Sequence, residues 1–105
     1  MRKLFVLASS VATTFLLANA AMAHTPLFSC YDSGGAIQCE GGFSDGSSAA
    51  GVVVHLLDGD GKTIKDLKLD ENSEVTFEKP ASKYSVQFDA GEGHRIDVAG
   101  EDIAE

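Results

Sequence analysis

The chain reads as a small β-sandwich of six to seven strands behind a cleaved leader. Three observations predict this. Turn signals rich in Gly, Asp, Asn and Ser recur every eight to twelve residues. The stretches between them alternate apolar and polar side chains, the period of a half-buried strand. After the leader, no stretch of ten or more residues carries the 3.6-residue period of a helix.

At 105 residues the chain has room for one small domain. Its 44% hydrophobic content supports a packed core and argues against wholesale disorder. The net charge of −8 opposes binding to a phosphate backbone, so a nucleic-acid partner is set aside. Tryptophan is absent and aromatics are 8%, which leaves little for a stacking platform.

Residues 1–23 read as an export signal. Met1-Arg2-Lys3 is a short positive start, Leu4 to Leu17 is apolar, and Ala21-Met22-Ala23 offers the small residues that a signal peptidase reads. Cleavage there makes residues 24–105 a single mature domain beginning at His24, placed in the periplasm or secreted. Ser9, Ser10, Thr13, Thr14 and Asn19 interrupt the apolar run, so it is not read as a membrane span. Leu27-Phe28-Ser29-Cys30 loosely matches a lipoprotein box, but Phe28 is bulky for it and His24-Thr25-Pro26 breaks the run before it. Removing the leader takes Arg2 and Lys3 with it, so the charge moves to −10 over 82 residues.

The first two strands follow from two cysteines. Gly34-Gly35 makes a two-residue hairpin loop. Counting outward, Asp32 faces Ile37, Tyr31 faces Gln38, and Cys30 faces Cys39 at a non-hydrogen-bonded position. An even cysteine count in an exported chain reads as a disulfide, Cys30–Cys39. A thiolate metal site is the alternative, but the spacing is not that of a CxxC pair.

Glu40 to Ser48 is rich in Gly and Ser, with Phe43 as its one anchor. Val52 to Leu57 is a strand, Asp58-Gly59-Asp60-Gly61 a turn, and Thr63 to Leu69 a strand whose uneven apolar spacing predicts a bulge. Asp70 to Ser73 turns the chain, Val75 and Phe77 alternate in the next strand, and Lys79 to Ser82 turns it again. Tyr84, Val86 and Phe88 alternate in a further strand, and Gly91-Glu92-Gly93 precedes the last, with Ile96 and Val98. Val54, Leu56, Phe77, Tyr84, Val86 and Phe88 are the expected core.

Gly51-Val52-Val53-Val54, Asp60-Gly61-Lys62, Glu74-Val75-Thr76-Phe77 and Lys83-Tyr84-Ser85-Val86 together resemble the carboxypeptidase regulatory-like, prealbumin-like (Ig-like) β-sandwich domain. The resemblance spans about Glu40 to Val98. It implies a fold and leaves function open, because such modules serve as stalks, adhesin units and solute-binding accessories. Ser73 departs from it, standing where that family usually has Gly. The chain ends resemble something narrower. His24 to Tyr31 and Asp89 to His94 look like small periplasmic accessory proteins of nickel and cobalt uptake transporters. Larger members carry a C-terminal membrane helix and a His-rich stretch, and this sequence shows neither. A membrane-integrated role is therefore not expected.

Three histidines could carry chemistry. A terminal His24 would offer its amine and its imidazole as a chelate, a donor set suited to Cu(II), Ni(II) and Co(II). His94 sits in a Gly-flanked loop over a rigid sandwich, where ligand residues tend to lie, and is the first choice as partner to His24. His55 shares a strand face with Val53 and Leu57 and reads as a half-buried strand histidine or a further ligand, with Glu92 as a nearby carboxylate. Asp58 and Asp60 suggest a calcium loop, but Lys62 occupies a position that needs an oxygen ligand. No nucleophile or metalloprotease motif is present, so an enzyme is not expected.

The sequence is therefore read as an exported metal-binding accessory for nickel or cobalt uptake, with copper ranked behind. A membrane transporter subunit is its expected partner. The alternatives are an interaction module docking to an envelope protein, or a carbohydrate-binding domain with Tyr31, Phe28 and Phe43 as its only candidate platform.

Overall fold

The computed structural model describes residues 25–105, and the leader and His24 lie outside the described residues. Seven strands follow in order: β1 (Pro26–Asp32), β2 (Ala36–Phe43), β3 (Val53–Asp58), β4 (Thr63–Lys68), β5 (Glu74–Glu78), β6 (Tyr84–Asp89) and β7 (Arg95–Ala99). A 3-10 turn, Gly100–Asp102, comes after them. All pairings are antiparallel. One sheet has the order β1-β2-β5 and the other β4-β3-β6-β7. The fold is all-β and sandwich-like, as the alternation predicts.

The hairpin register matches the count from Gly34-Gly35. Asp32 pairs with Ile37, Tyr31 with Gln38 and Cys30 with Cys39. Both loop glycines have positive φ, 73° and 99°, which two-residue hairpin loops of this hand require. Cys30 and Cys39 are disulfide-bonded. Asp32 closes the turn from below: its Oδ1 accepts the Gly35 N–H at 2.8 Å and its Oδ2 accepts Lys79 Nζ at 3.0 Å. The Gly35 amide, and then Lys79, hold the Asp32 carboxyl below the usual range.

The expected core residues Val54, Leu56, Phe77, Tyr84, Val86 and Phe88 are all buried. Ile37, Cys39, Ala49 and Leu69 join them. Phe88 is at the centre, with the rings of Phe28 and Phe43 at 5.4 and 6.0 Å from it. Burying a side chain of this size contributes roughly 2–3 kcal/mol. The bulge expected in β4 is present. Leu56 pairs with Lys65 and Leu57 with Thr63, which leaves Ile64 unmatched and 53% exposed.

Two turns repeat one design. Asp58 Oδ1 accepts the N–H groups of Asp60 and Lys62, and Asp70 Oδ1 accepts those of Asn72 and Glu74. The left-handed position is Gly61 in the first and Ser73, at φ 61°, in the second. The serine has a task of its own: its Oγ accepts the Ala49 N–H at 3.0 Å and lies 3.2 Å from Ser48 Oγ. It thereby ties the β2–β3 loop to the β4–β5 turn, which a glycine could not do.

Candidate functional site

His94 ends the β6–β7 turn. That turn is shaped by bonds from Ala90 N–H to the His94 carbonyl (3.0 Å) and from His94 N–H to the Gly91 carbonyl (2.9 Å). Asp89 Oδ1 accepts the Gly91 N–H at 3.0 Å. The His94 Nδ1 lies 3.2 Å from the Glu92 carbonyl oxygen. A carbonyl only accepts, so Nδ1 carries the hydrogen in this contact, and in the neutral ring that leaves the lone pair on Nε2. Histidines that ligate a metal are commonly oriented through such a bond from the other nitrogen. The half-buried His94 lines a cavity of about 280 Å³ with Phe43, Ser47 and Ala90.

The start of β1 reaches the loop that forms this cavity. Pro26 pairs with Phe43 across the hairpin. Thr25 N–H donates to Ser44 Oγ at 3.1 Å, and Ser44 N–H donates to the Thr25 carbonyl at 2.8 Å. Thr25 is therefore fixed to Ser44, three residues before Ser47, which stands on the cavity wall. His24 precedes Thr25 directly in sequence. Glu92 contributes its backbone oxygen to the orientation of His94. Among the described residues, no group of three or more His, Cys, Asp or Glu side chains is placed to hold a metal ion.

His55 occupies a different place. It sits on β3, on the outer face of the four-stranded sheet, as its alternation with Val54 and Leu56 requires. Its Nδ1 lies 2.6 Å from Asp66 Oδ1 on β4, and its Nε2 lies 2.9 Å from Asp89 Oδ2 on β6. Asp89 also accepts Arg95 Nε at 2.9 Å. The bond to Asp66, then that to Asp89, raises the His55 pKa above its ordinary value. His55 and Arg95 hold Asp89 far below the usual carboxylate range. A protonated ring between two carboxylates donates from both nitrogens, so no lone pair remains for a metal. His55 does not line the cavity that holds His94.

The other candidate features resolve into local structure. The cysteines are joined to each other. Asp58 Oδ1 is occupied by the amides of its own turn. Of the three candidate platform aromatics, Phe28 and Phe43 pack on Phe88, while Tyr31 is 47% exposed. A cleft of about 380 Å³ lies between the β5–β6 turn and Gly100, and Tyr84 lines it. The Tyr84 hydroxyl is buried and has no hydrogen-bond partner among the described residues.

Sequence reasoning did not identify Asp66, Asp89 and Arg95 as one charged group with His55. The signal was present only as alternation: each lies on the polar side of its strand, but nothing local says which strands are neighbours. No helix among the described residues is long and apolar enough to cross a membrane. Compared with protein-family models, curated proteins and solved structures, the chain matches none.

Proposed function

We propose that the protein is an exported metal-binding accessory that takes up one divalent transition-metal ion, nickel or cobalt before copper, for delivery to an uptake system. His24 as the first residue of the processed chain supplies its amine and imidazole, and His94 supplies Nε2. The observation that carries this reading is the orientation of His94. Its Nδ1 is turned to the Glu92 carbonyl, and its ring lines a cavity that shares Ser47 with the loop to which Thr25 is bonded. Export is consistent with the leader and with a disulfide, which persists in oxidising compartments.

The test is calorimetry with Ni(II), Co(II) and Cu(II) on three forms: the chain beginning at His24, the same chain with one residue added before His24, and His94→Ala. The added residue removes the chelate and should weaken binding most, with His94→Ala next. Copper is expected to bind tightest in vitro whatever the biological metal, by the general affinity order. Ligating imidazoles must be unprotonated, so binding should weaken as pH falls. Equal binding by the processed and extended forms overturns the site.

A further inference from the structure

The turn that carries His94 is held to the sheet through one carboxylate. Asp89 is the last residue of β6 and Arg95 the first of β7. Asp89 Oδ1 accepts the Gly91 N–H at 3.0 Å and Arg95 Nε at 2.9 Å, so it grips the turn just inside its start and just beyond its end. The Gly91 carbonyl in turn accepts the His94 N–H. Gly91 and Gly93, at φ 109° and 80°, leave this backbone free to take other shapes, so the bonds decide its form.

The second oxygen of Asp89 belongs to His55. Oδ2 lies 2.9 Å from Nε2 of that ring, whose Nδ1 lies 2.6 Å from Asp66 Oδ1. The protonated ring donates to both carboxylates. A neutral ring has a single hydrogen for the two, and the shorter contact, to Asp66, retains it. Nε2 then presents a lone pair to Asp89 Oδ2 at a distance that only a hydrogen bond sustains. The carboxylate must turn or withdraw, and its other oxygen takes the Gly91 and Arg95 bonds with it.

We propose that His55 regulates the metal site from the sheet: its protonated ring fixes Asp89 where that carboxylate keeps the β6–β7 turn closed and His94 Nδ1 on the Glu92 carbonyl, and loss of the proton releases the turn. The regulation rests on the metal reading above, whereas the coupling of His55 to His94 does not. Asp89 is a positioning residue here, since it does not line the cavity and acts through Gly91. The groups that face His55 are Asp66 and, opposite Val53, Lys68 from β4, and Gln87 and Asp89 from β6. From β7, Arg95 reaches Asp89, and Asp97 accepts Gln87 Nε2 at 2.9 Å. On the His94 side, Asp45 Oδ1 accepts the N–H and hydroxyl of Ser47. Among the groups bonded to Asp89, His55 is the one that titrates near or above neutral pH, because Asp66, and then Asp89, raise it from 6.5. A site of unprotonated ligands alone tightens steadily as pH rises. This one is expected to lose part of that gain once His55 becomes neutral.

NMR of the chain beginning at His24, without metal, reads the coupling directly. Long-range proton–nitrogen spectra distinguish an imidazole with its hydrogen on Nδ1 from one with it on Nε2, and neutral His94 should be in the Nδ1–H form. Followed from about pH 6 to pH 9.5, the His94 ring nitrogens and the Gly91 amide should show a second step at the midpoint at which His55 itself titrates. His55→Gln and Asp89→Asn should each abolish that step. Asp89→Asn keeps an oxygen for the Gly91 amide and should retain the Nδ1–H form, whereas Asp89→Ala should lose it. Nickel calorimetry on the same forms should show binding weakened at least about threefold in Asp89→Ala and largely restored in Asp89→Asn. Amide dispersion is the control for folding, and His55→Gln and Asp89→Asn carry the test if Asp89→Ala does not fold. A His94 curve without the second step, or a step that persists in both His55→Gln and Asp89→Asn, overturns the proposal. Nickel binding by none of the forms overturns the metal reading and the regulation with it, and the NMR titration alone then decides the coupling.

Discussion

His55 of β3 spans two neighbouring strands at once, with Nδ1 2.6 Å from the Asp66 carboxylate of β4 and Nε2 2.9 Å from that of Asp89 on β6. One ring thus links three of the four strands of its sheet, and Arg95 of β7 completes the row through Asp89. Only the imidazolium can donate to both carboxylates. The pKa of His55 is raised on folding, by Asp66 first and Asp89 second. Its stabilising effect is therefore full below the unfolded value of about 6.5 and is lost as pH rises through the higher folded value. Asp89 is lowered, by His55 first and Arg95 second. Its effect is full above about 3.9 and is lost only as pH falls through a folded value well below that. Stability from this group is expected to be greatest between the two. The urea midpoint should fall from about pH 6 to about pH 9, and His55→Gln should flatten that slope. An unchanged slope in the variant would place the effect elsewhere.

Replacing Tyr84 with Phe removes a buried hydroxyl that has no partner among the described residues. Burial is also the first cause of its raised pKa. The ring stays in place, so Tyr84→Phe should be neutral or stabilising by up to about 1 kcal/mol. Tyr84→Ala should cost about 3–5 kcal/mol. Denaturant titration of both variants separates the ring from the hydroxyl, and a loss beyond about 1.5 kcal/mol in Tyr84→Phe would contradict an unpartnered group.

Ser73 combines a left-handed backbone with a hydroxyl that binds the Ala49 amide. Ser73→Ala keeps the backbone cost and loses the bond, so a loss of about 1–2 kcal/mol is expected. Ser73→Gly relieves the backbone while losing the same bond, and should lie closer to wild type. Hydrogen exchange at Ala49 should quicken in both variants. Equal stability losses would show that the backbone conformation carries no cost here.

Gly41 is where β2 passes closest to the core. A Cβ built there would lie 2.9 Å from both Leu69 Cδ1 and Phe88 Cε2. Gly41→Ala should therefore destabilise by about 1–3 kcal/mol through overpacking. Combining it with Phe88→Leu should recover part of that loss, because the two changes share one space. Strict additivity in thermal melts would mean that the strand moves aside instead.

The hairpin register and the disulfide were legible because their geometry is local: one two-residue loop sets every pair from Asp32–Ile37 to Cys30–Cys39. The core aromatics were legible because Phe77, Tyr84 and Phe88 alternate within single strands. Ile37, Ala49 and Leu69 were harder to see. Ile37 sits beside a turn, Ala49 lies in a Ser- and Gly-rich loop, and Leu69 follows a bulge that shifts the phase of its strand. The clasp around His55 depends on β3 lying between β4 and β6, a crossover decided by sheet packing rather than by any neighbour in sequence. His94 was singled out by its loop, but the turning of its Nδ1 to Glu92 is a backbone detail that no residue pattern encodes.

The bond between Asp32 and Ala104 has a practical side. It brings the tail back to the far end of β1 from Thr25, six residue steps along the strand from Pro26 to Asp32, or about 20 Å. A label, surface tether or affinity handle attached after Glu105 would then emerge away from the end where Thr25 meets Ser44. A handle without histidine could immobilise the protein with its His94 end facing solution, whereas any handle placed ahead of His24 would itself be the extension that the proposed metal site is expected not to tolerate.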